Sequence, residues 1–483
     1  MTQEYTYRTV RFSRADIELF SAASGDRNPL HNSEEYARQT VYGQPVVFGA
    51  LGAVAALSFI HDDPELRIGN LQAEFLRPMF LGVDYTIRAA GGGFERSAVI
   101  YDGTTEILRV AISLQKAVAP NVSREVQRAA KLFGRREAAD RAQDEMVPGL
   151  KVAGAYSIDP EALDALRDRY GGVNGSMAYA AVCWSSYLIG MELPGKSALF
   201  SRLQLSFGGR EPGGLPLDYL ACLRTVDPRL GQLRLDVSIA AEGEELASGE
   251  LRTFIRSNAP ALDSGPAAQA STEMAGKVAL VIGSSRGLGA ATKTALEARG
   301  AAVYSISRSA GGLNSATGDA RDAAVLRQML DRIVRERGRL DILVCNAFPA
   351  LVPLRLELNA LERMKDYLSA SLTLVLAPLC TFLAVLDANH GCVALISSAA
   401  VNHPVREWPH YVAAKRAAEA IAEVALLQYP RIGMLIVRPD KMLTAMTNTP
   451  MGKRGATPPA SVAKLIADQV AKPMEPGKLR FLA

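Results

Sequence analysis

The feature that most constrains this chain is a series of five short apolar segments in its C-terminal part, separated by segments of helical character. They read V-A-L-V-I-G from Val278, A-V-Y-S-I-S from Ala302, L-D-I-L-V-C-N from Leu340, C-V-A-L-I-S-S from Cys392 and M-L-I-V-R-P from Met434. Runs this apolar do not alternate inside and outside, so they are buried on both faces. Strands separated by helices are parallel neighbours rather than hairpins. The pattern predicts an α/β, Rossmann-like, doubly wound parallel sheet over residues 275–483.

The chain has 483 residues, enough for more than one domain. Its N-terminal part has a different grammar. Two helices rich in small residues, V-V-F-G-A-L-G-A-V-A-A-L-S-F-I from Val46 and G-S-M-A-Y-A-A-V-C-W-S-S-Y-L-I-G from Gly175, are each followed by similar strand-like segments. Those segments are L-Q-A-E-F from Leu71 and L-Q-L-S-F from Leu203, and alternating stretches continue after each. The expectation is an α+β unit present twice, a helix wrapped by an antiparallel sheet, over 1–120 and 149–257. Residues 121–148 are highly charged and rich in helix formers and predict a solvated connecting helix. Residues 258–274 are small and Pro-containing, without hydrophobic period, and predict a linker.

Apolar residues make up 48% and charged residues 22%, which excludes a disordered or fibrous chain. A net charge of +4 with no basic run gives no reason to expect a nucleic-acid partner. Five cysteines without CxxC spacing predict a reduced, cytoplasmic protein and no metal site. The N-terminus lacks the apolar core of a signal peptide, and the longest apolar stretch, Leu372 to Leu386, reads as too short for a membrane span.

Two constellations carry chemistry. The first lies on a loop after a helix that Ser13 and Asp16 cap: Ala23-Ser24-Gly25-Asp26-x-Asn28-Pro29-x-His31. A carboxylate beside an imidazole can hold a water, take its proton and return one elsewhere; the same loop could also serve only as a helix cap. With Tyr42-Gly43-x-Pro45-Val46-x-Phe48-Gly49 added, residues 7 to about 115 resemble the MaoC-like, (R)-specific enoyl-thioester hydratases of the hotdog fold. The resemblance implies that Asp26 and His31 activate the water, that Asn28 belongs to the same loop, and that the backbone N–H of Gly49 helps hold the thioester oxyanion. Phe48 stands where that family usually carries His. The second repeat has no D-x-N-P-x-H; its corresponding region reads R-D-R-Y-G-G-V-N-G-S, which makes it a degenerate partner completing the substrate tunnel.

The second constellation starts at G-S-S-R-G-L-G, between a strand and a helix. Gly283, Ser285, Arg286, Gly287, Leu288 and Gly289 form a loop whose backbone can approach a pyrophosphate at a helix N-terminus. The next strand ends at Arg308 with no acidic residue, and Arg286 lies in the loop, so NADPH is expected rather than NADH. Tyr411 and Lys415, four apart, share a helix face, and Ser398 sits after a strand. An ammonium beside a phenol lowers its pKa and makes it a proton donor to a carbonyl. Together these residues resemble the short-chain dehydrogenase/reductase family, specifically its ketoacyl reductases, over about 276–470. The resemblance implies Ser398, Tyr411 and Lys415 as the catalytic set, Asp319 at adenine, Asn346 and Ala347 from the family's N-N-A-G, and Thr444 at the nicotinamide amide. Departures are Ile282 before the first Gly, Phe348 for the last Gly of N-N-A-G, Ser371 for a helix Asn, and Asp440 for the Gly of P-G. The closing strand pattern is absent, and helices from Ala370 and Val412 are apolar enough to expect a homodimer.

The two units handle consecutive compounds. The reading is a bifunctional β-ketoacyl-thioester reductase and β-hydroxyacyl-thioester dehydratase, in fatty-acid- or polyketide-like synthesis, with its substrate on acyl carrier protein or coenzyme A. One alternative runs backwards, as enoyl hydration and NAD-linked oxidation in β-oxidation or polyhydroxyalkanoate metabolism. Another makes the hotdog half a non-catalytic acyl-carrier-binding module beside a reductase.

Overall fold

Strand β1 (Thr6–Arg11) leads into helix α1 (Arg14–Ser24), which opens with the capping box that Ser13 and Asp16 predict: the Asp16 carboxylate accepts from Ser13 N at 2.7 Å while the Ser13 hydroxyl accepts from Asp16 N. Helices α2 (Pro29–Asn32) and α3 (Glu34–Arg38) and strand β2 (Val46–Val47) carry the chain to α4 (Gly49–Ile60). Nearly every residue of α4 is small or apolar, so the helix is buried on all sides. Around it run β3 (Leu66–Phe75), β4 (Met79–Phe80), β5 (Asp84–Gly92), β6 (Glu95–Asp102) and β7 (Thr105–Lys116). The computed structural model describes residues 5–61, 63, 65–116, 137–157, 159–171, 177–208, 216–256, 271–309, 312, 314–444 and 455–482.

The second repeat supplies β8 (Lys151–Tyr156), α5 (Pro160–Tyr170), the buried helix α6 (Met177–Tyr187), β9 (Ala198–Phe207), β10 (Leu217–Asp227), β11 (Gln232–Ala241) and β12 (Glu244–Ile255). All the long strands join one antiparallel sheet in the order β1-β5-β6-β7-β3-β9-β12-β11-β10-β8. Read outward from the β3–β9 pair, the two halves have the same order, so the repeat seen in the sequence is a structural repeat with its halves side by side. Leu217, Tyr219, Ala221 and Leu223 alternate inward along β10, as a sheet with one buried face requires. This is a double hotdog.

The chain divides into two compact units between Ser257 and Asn258. In the second, β13 (Val278–Ile282), α7 (Gly287–Glu297), β14 (Ala302–Ser307), β15 (Ser315–Thr317), α8 (Ala323–Arg337), β16 (Ile342–Cys345), α9 (Leu361–Ala388), β17 (Cys392–Ile396), α10 (Pro409–Gln428), β18 (Gly433–Val437), a helix over Pro459–Ala471 and β19 (Leu479–Leu482) follow in order. The seven strands are parallel, ordered β15-β14-β13-β16-β17-β18-β19. Helices α8, α9 and α10 cover one face, and α7 with the last helix covers the other. The sheet reverses direction at β13, so the crevice beyond the carboxyl ends of β13 and β16 is the topological switch point where such folds bind ligands.

Several expectations change. A closing strand does exist: β19 pairs in parallel with β18 from Met434 opposite Leu479 to Val437 opposite Leu482. It is only L-R-F-L, too short to stand out from its surroundings. Within the expected connector helix, residues 117–136 lie outside the described residues, and residues 137–148 contain one 3-10 turn, Gln143–Glu145, and no α-helix. Ala138, Ala139 and Met146 are buried there, which pins the backbone as an extended segment despite its charge. Most of the expected linker lies outside the described residues, but Met274 at its end is buried in the second unit. Helix α9 runs through Pro378, so the helical segment Leu358–Ala388 is long and apolar enough to cross a membrane by length and composition. Its Val375, Leu379, Phe382 and Leu383 are packed into the core.

Candidate active sites

In the first unit, α1 ends at Gly25, whose φ of 72° turns the chain inward and buries the residues that follow. Asp26 and Asn28 are each 2% exposed. One Asp26 carboxylate oxygen accepts from Asn28 N at 2.9 Å, and the other accepts from the Ser186 hydroxyl at 2.7 Å. The Asn28 side chain accepts from Leu30 N, capping α2, and donates to the carbonyls of Gly190 and Gly195 at 3.0 Å each. Ser186, Gly190 and Gly195 all belong to the second repeat. After α6 its chain makes a wide turn over Leu188–Glu192, anchored where the Tyr187 and Tyr219 hydroxyls donate to the buried Glu192 carboxylate at 3.0 and 2.8 Å. A Cβ at Gly190 would lie 2.5 Å from an Asp26 carboxylate oxygen, so only glycine lets the two repeats close at this point. Tyr156, on β8, also donates to Ser24 O at 2.8 Å. The degenerate repeat therefore forms the wall of the acid–base loop. The sequence offered little signal for this, because the contacts span 132–167 residues.

His31 lies at the end of α2. Its Nδ1 is 2.8 Å from Val46 O, and a carbonyl only accepts, so Nδ1 carries the proton and Nε2 keeps its lone pair. Burial lowers the imidazole pKa to about 4, against the opposing bond to Val46 O and with help from the positive Arg256. Burial pushes the Asp26 carboxyl up to about 7, against the bonds from Asn28 N and Ser186. Near neutral pH the loop thus offers a neutral imidazole as acceptor and a carboxyl that still holds its proton in part. Gly49 is the first residue of α4, and Phe48 before it gives no side-chain cap. First-turn N–H groups have no partner within a helix, so this end supplies donors for an oxyanion. Phe48 stacks on His31.

In the second unit, Gly283, Ser285, Arg286, Gly287, Leu288 and Gly289 link β13 to α7 at the switch point. A Cβ at Gly283 would meet Ala347 Cα at 2.9 Å, and one at Gly289 would meet Gly283 O at 2.0 Å. Gly283 and Gly287 also have positive φ, 82° and 54°. The loop is a tight backbone cradle opening on an eleven-residue helix N-terminus, which fits a dinucleotide pyrophosphate. Asn346 does not point outward: its side chain donates to Gly283 O at 2.8 Å and braces the cradle. Thr444 lies beside it, its methyl 3.6 Å from where a Gly287 Cβ would stand. Arg308, exposed just past β14, has no acidic neighbour along its strand, while the Asp319 carboxylate is held below its ordinary pKa chiefly by hydrogen bonds from Arg321.

Ser398 follows β17, and Tyr411 and Lys415 lie one turn apart on α10. Burial raises the Tyr411 phenol, and its hydrogen bond with Ser398 works in the opposite direction. The Lys415 ammonium lies 5.7 Å from the centre of the Tyr411 ring. The Lys415 ammonium is buried, donates to Ile396 O at 2.7 Å and lies 3.4 Å from the centre of the Phe348 ring. Burial brings it down to about 7, and Glu419 resists. Glu419 in turn accepts from Ser397 at 2.6 Å and from Nε and Nη2 of Arg438 at 2.9 Å each, tying α10 to the ends of β17 and β18. The Lys415–Glu419 spacing on one helix face was the available signal for this network. Phe348 also meets Tyr411 edge-on at 6.2 Å.

A double hotdog with a buried acid–base loop and a doubly wound sheet with a Ser–Tyr–Lys set define a lyase-type unit joined to an oxidoreductase-type unit. Residues 2–107 match the protein-family model described as MaoC like domain, and residues 277–457 match that described as short chain dehydrogenase. The chain thus joins a MaoC-like domain to a short-chain dehydrogenase domain. No curated protein matches it. Among solved structures it is similar to the KRED1-Pglu enzyme, at 21% identity over 43% of this chain and 100% of that one, with a TM-score of 0.39. It is also similar to an alcohol dehydrogenase from the archaeon Thermococcus sibiricus complexed with 5-hydroxy-NADP, at 22% identity over 43% and 94%, TM-score 0.38. A third is the Thermoplasma acidophilum aldohexose dehydrogenase, at 18% identity over 44% and 94%, TM-score 0.40.

Proposed function

We propose that the protein reduces a β-ketoacyl thioester with NADPH and then dehydrates the β-hydroxyacyl product to the α,β-enoyl thioester. The carrier is an acyl carrier protein or coenzyme A. The observation that carries the reading is that one loop fixes both a buried carboxyl, Asp26, by bonds from Asn28 N and Ser186, and a half-buried imidazole, His31, by Val46 O, in a chain that also holds Ser398, Tyr411 and Lys415. A pure binding module has no use for a carboxyl and an imidazole each held in place on one loop.

In the reductase unit, Gly283, Gly287 and Gly289 bring backbone against the pyrophosphate, and Arg308 and Arg286 favour a 2′-phosphate. The nicotinamide, when bound, supplies a hydride. Tyr411, with its proton retained by burial, gives that proton to the carbonyl oxygen, while Ser398 hydrogen-bonds the same oxygen. In the hotdog unit, His31 Nε2 takes the α-proton of the hydroxyacyl thioester. The helix end at Gly49 holds the enolate oxygen, and the Asp26 carboxyl protonates the leaving hydroxyl, which departs as water. Hydration is the same path reversed.

The test is mass spectrometry of products from β-ketoacyl thioesters on both carriers with NADPH. Wild type forms hydroxyacyl and enoyl products; His31→Ala stops at the hydroxyacyl product while NADPH consumption continues. Absence of hydration and dehydration on either carrier, from the enoyl side as well, would leave the hotdog half as a binding module.

A further inference from the structure

Phe48 sits between the two halves of the dehydratase machinery. Its ring stacks on the His31 imidazole, with centroids 3.8 Å apart and planes at 27°, and Phe20 packs on it at 4.8 Å. Phe48 itself is 1% exposed, so this packing is fixed by the core. Two residues earlier, Val46 O receives the His31 Nδ1 proton, and one residue later Gly49 starts α4. The carbonyl of Val46 fixes the imidazole in its own plane. The Phe48 ring fixes it out of plane. Together they hold the ring with Nδ1 towards Val46 O and Nε2 on the opposite side of the ring from it.

We propose that Phe48 is a positioning residue for His31, holding the imidazole in its Nδ1–H tautomer so that Nε2 faces the thioester beside the Gly49 helix end. This rests on the dehydratase reading for its kinetic consequence but not for the geometry. The same apolar ring helps keep water from the imidazole, in line with the low pKa of His31. Other charged or titratable groups around His31 are Asp26 on its own loop, Arg14 of α1, which donates to His31 O, Tyr36 of α3, and Arg256 beyond β12. None of these stacks on the ring, so removing the Phe48 ring changes orientation and hydration without changing charge.

The test uses the full chain carrying 13C- and 15N-labelled histidine. With five histidines, His31 is assigned by its loss in His31→Gln. In wild type, the neutral His31 should be the Nδ1–H tautomer; an Nε2–H tautomer overturns the proposal without any variant. Phe48→Leu, which keeps bulk and loses the plane, should mix the tautomers and raise the His31 pKa by about one unit. Hydration of an enoyl thioester should fall about tenfold in kcat with a much smaller change in KM, because the orientation of the proton-transferring imidazole is lost while binding is kept. Phe48→His, which restores a flat ring, should recover the tautomer and most of kcat. If Phe48→Leu fails to fold, Phe48→Met takes its place. A folded Phe48→Leu or Phe48→Met in which the His31 tautomer and titration match wild type sinks the proposal. If no thioester is hydrated even by wild type, the spectra still decide the positioning role, and the failure belongs to the dehydratase reading.

Discussion

Asp26 is a stability liability that the fold retains, and Asp26→Asn should expose its size. Burial raises the carboxyl from 3.8 to about 7, a shift of about three units. A group whose folded pKa is raised above its unfolded value contributes its full stability below the unfolded pKa and loses it as pH rises through the folded one. Three units at about 1.4 kcal/mol each place the cost at about 4 kcal/mol above pH 7, vanishing near pH 4. An amide carries no charge to desolvate. Its oxygen can accept from Asn28 N and its nitrogen can donate to the Ser186 hydroxyl, so both existing hydrogen bonds have a replacement. Urea unfolding at pH 8 should show the Asp26→Asn hotdog unit more stable by up to about 4 kcal/mol, with the gap closing towards pH 4. The chain has two tryptophans, and Trp184 is buried beside Tyr219, so in a Trp408→Phe background its fluorescence reports this unit. Comparing Asp and Asn at each pH cancels the opposite pH dependence of His31, whose neutral form is favoured in the fold. A gap that stays constant from pH 4 to pH 8 refutes the reasoning, since it means that Asp26 is not held as a desolvated acid.

Two further outcomes concern the reductase. Tyr411→Phe removes the proton donor and should lower reduction of β-ketoacyl thioesters by at least about 100-fold, read by NADPH absorbance, with circular dichroism unchanged. NADPH should be used about tenfold or more in preference to NADH, and Arg308→Asp should shrink or reverse that ratio of kcat/KM; equal use of both by wild type removes the basis for the assignment.

What the sequence made legible was what local rules control. The five apolar segments became β13, β14, β16, β17 and β18, because full burial of a parallel sheet leaves an unmistakable run. The Ser13–Asp16 box and the glycine cradle were legible because their geometry is contained within a few residues. What stayed hidden depends on distant chain. Nothing near Asp26 announces that Ser186 will bond it, or that Gly190 must lack a Cβ for that to happen. Phe48 reads as a missing histidine until its ring is seen on His31. Lys415 was legible beside Tyr411, but not that Ile396 O and Phe348 also hold its ammonium. The charged stretch before β8 reads as a helix because three buried side chains among its residues 137–148 are outvoted by composition.

The two sites share a physical design in the proposed reaction. Reduction of a ketone needs a proton donor at the carbonyl oxygen, and dehydration needs one at the leaving hydroxyl. In each site the donor is an acid whose charged form burial penalises: Tyr411 is raised, and Asp26 is raised to about 7. Each donor is opposed by a hydroxyl, Ser398 and Ser186 respectively, which would stabilise the anion left once the proton has gone. Lys415, brought down to about 7 by burial, donates to Ile396 O and lies 5.7 Å from the centre of the Tyr411 ring. For Tyr411 the resting form in the neutral range is therefore the protonated one, and for Asp26 it is so up to about pH 7. The proposed conversion of ketoacyl to enoyl thioester starts from that state at both sites, and the reverse reaction uses the same groups with the proton moved. The protonation states match what the proposed reductive, dehydrating direction asks of its two donors. They also imply that raising the pH above 7 weakens the forward direction first at Asp26, the more acidic of the two donors.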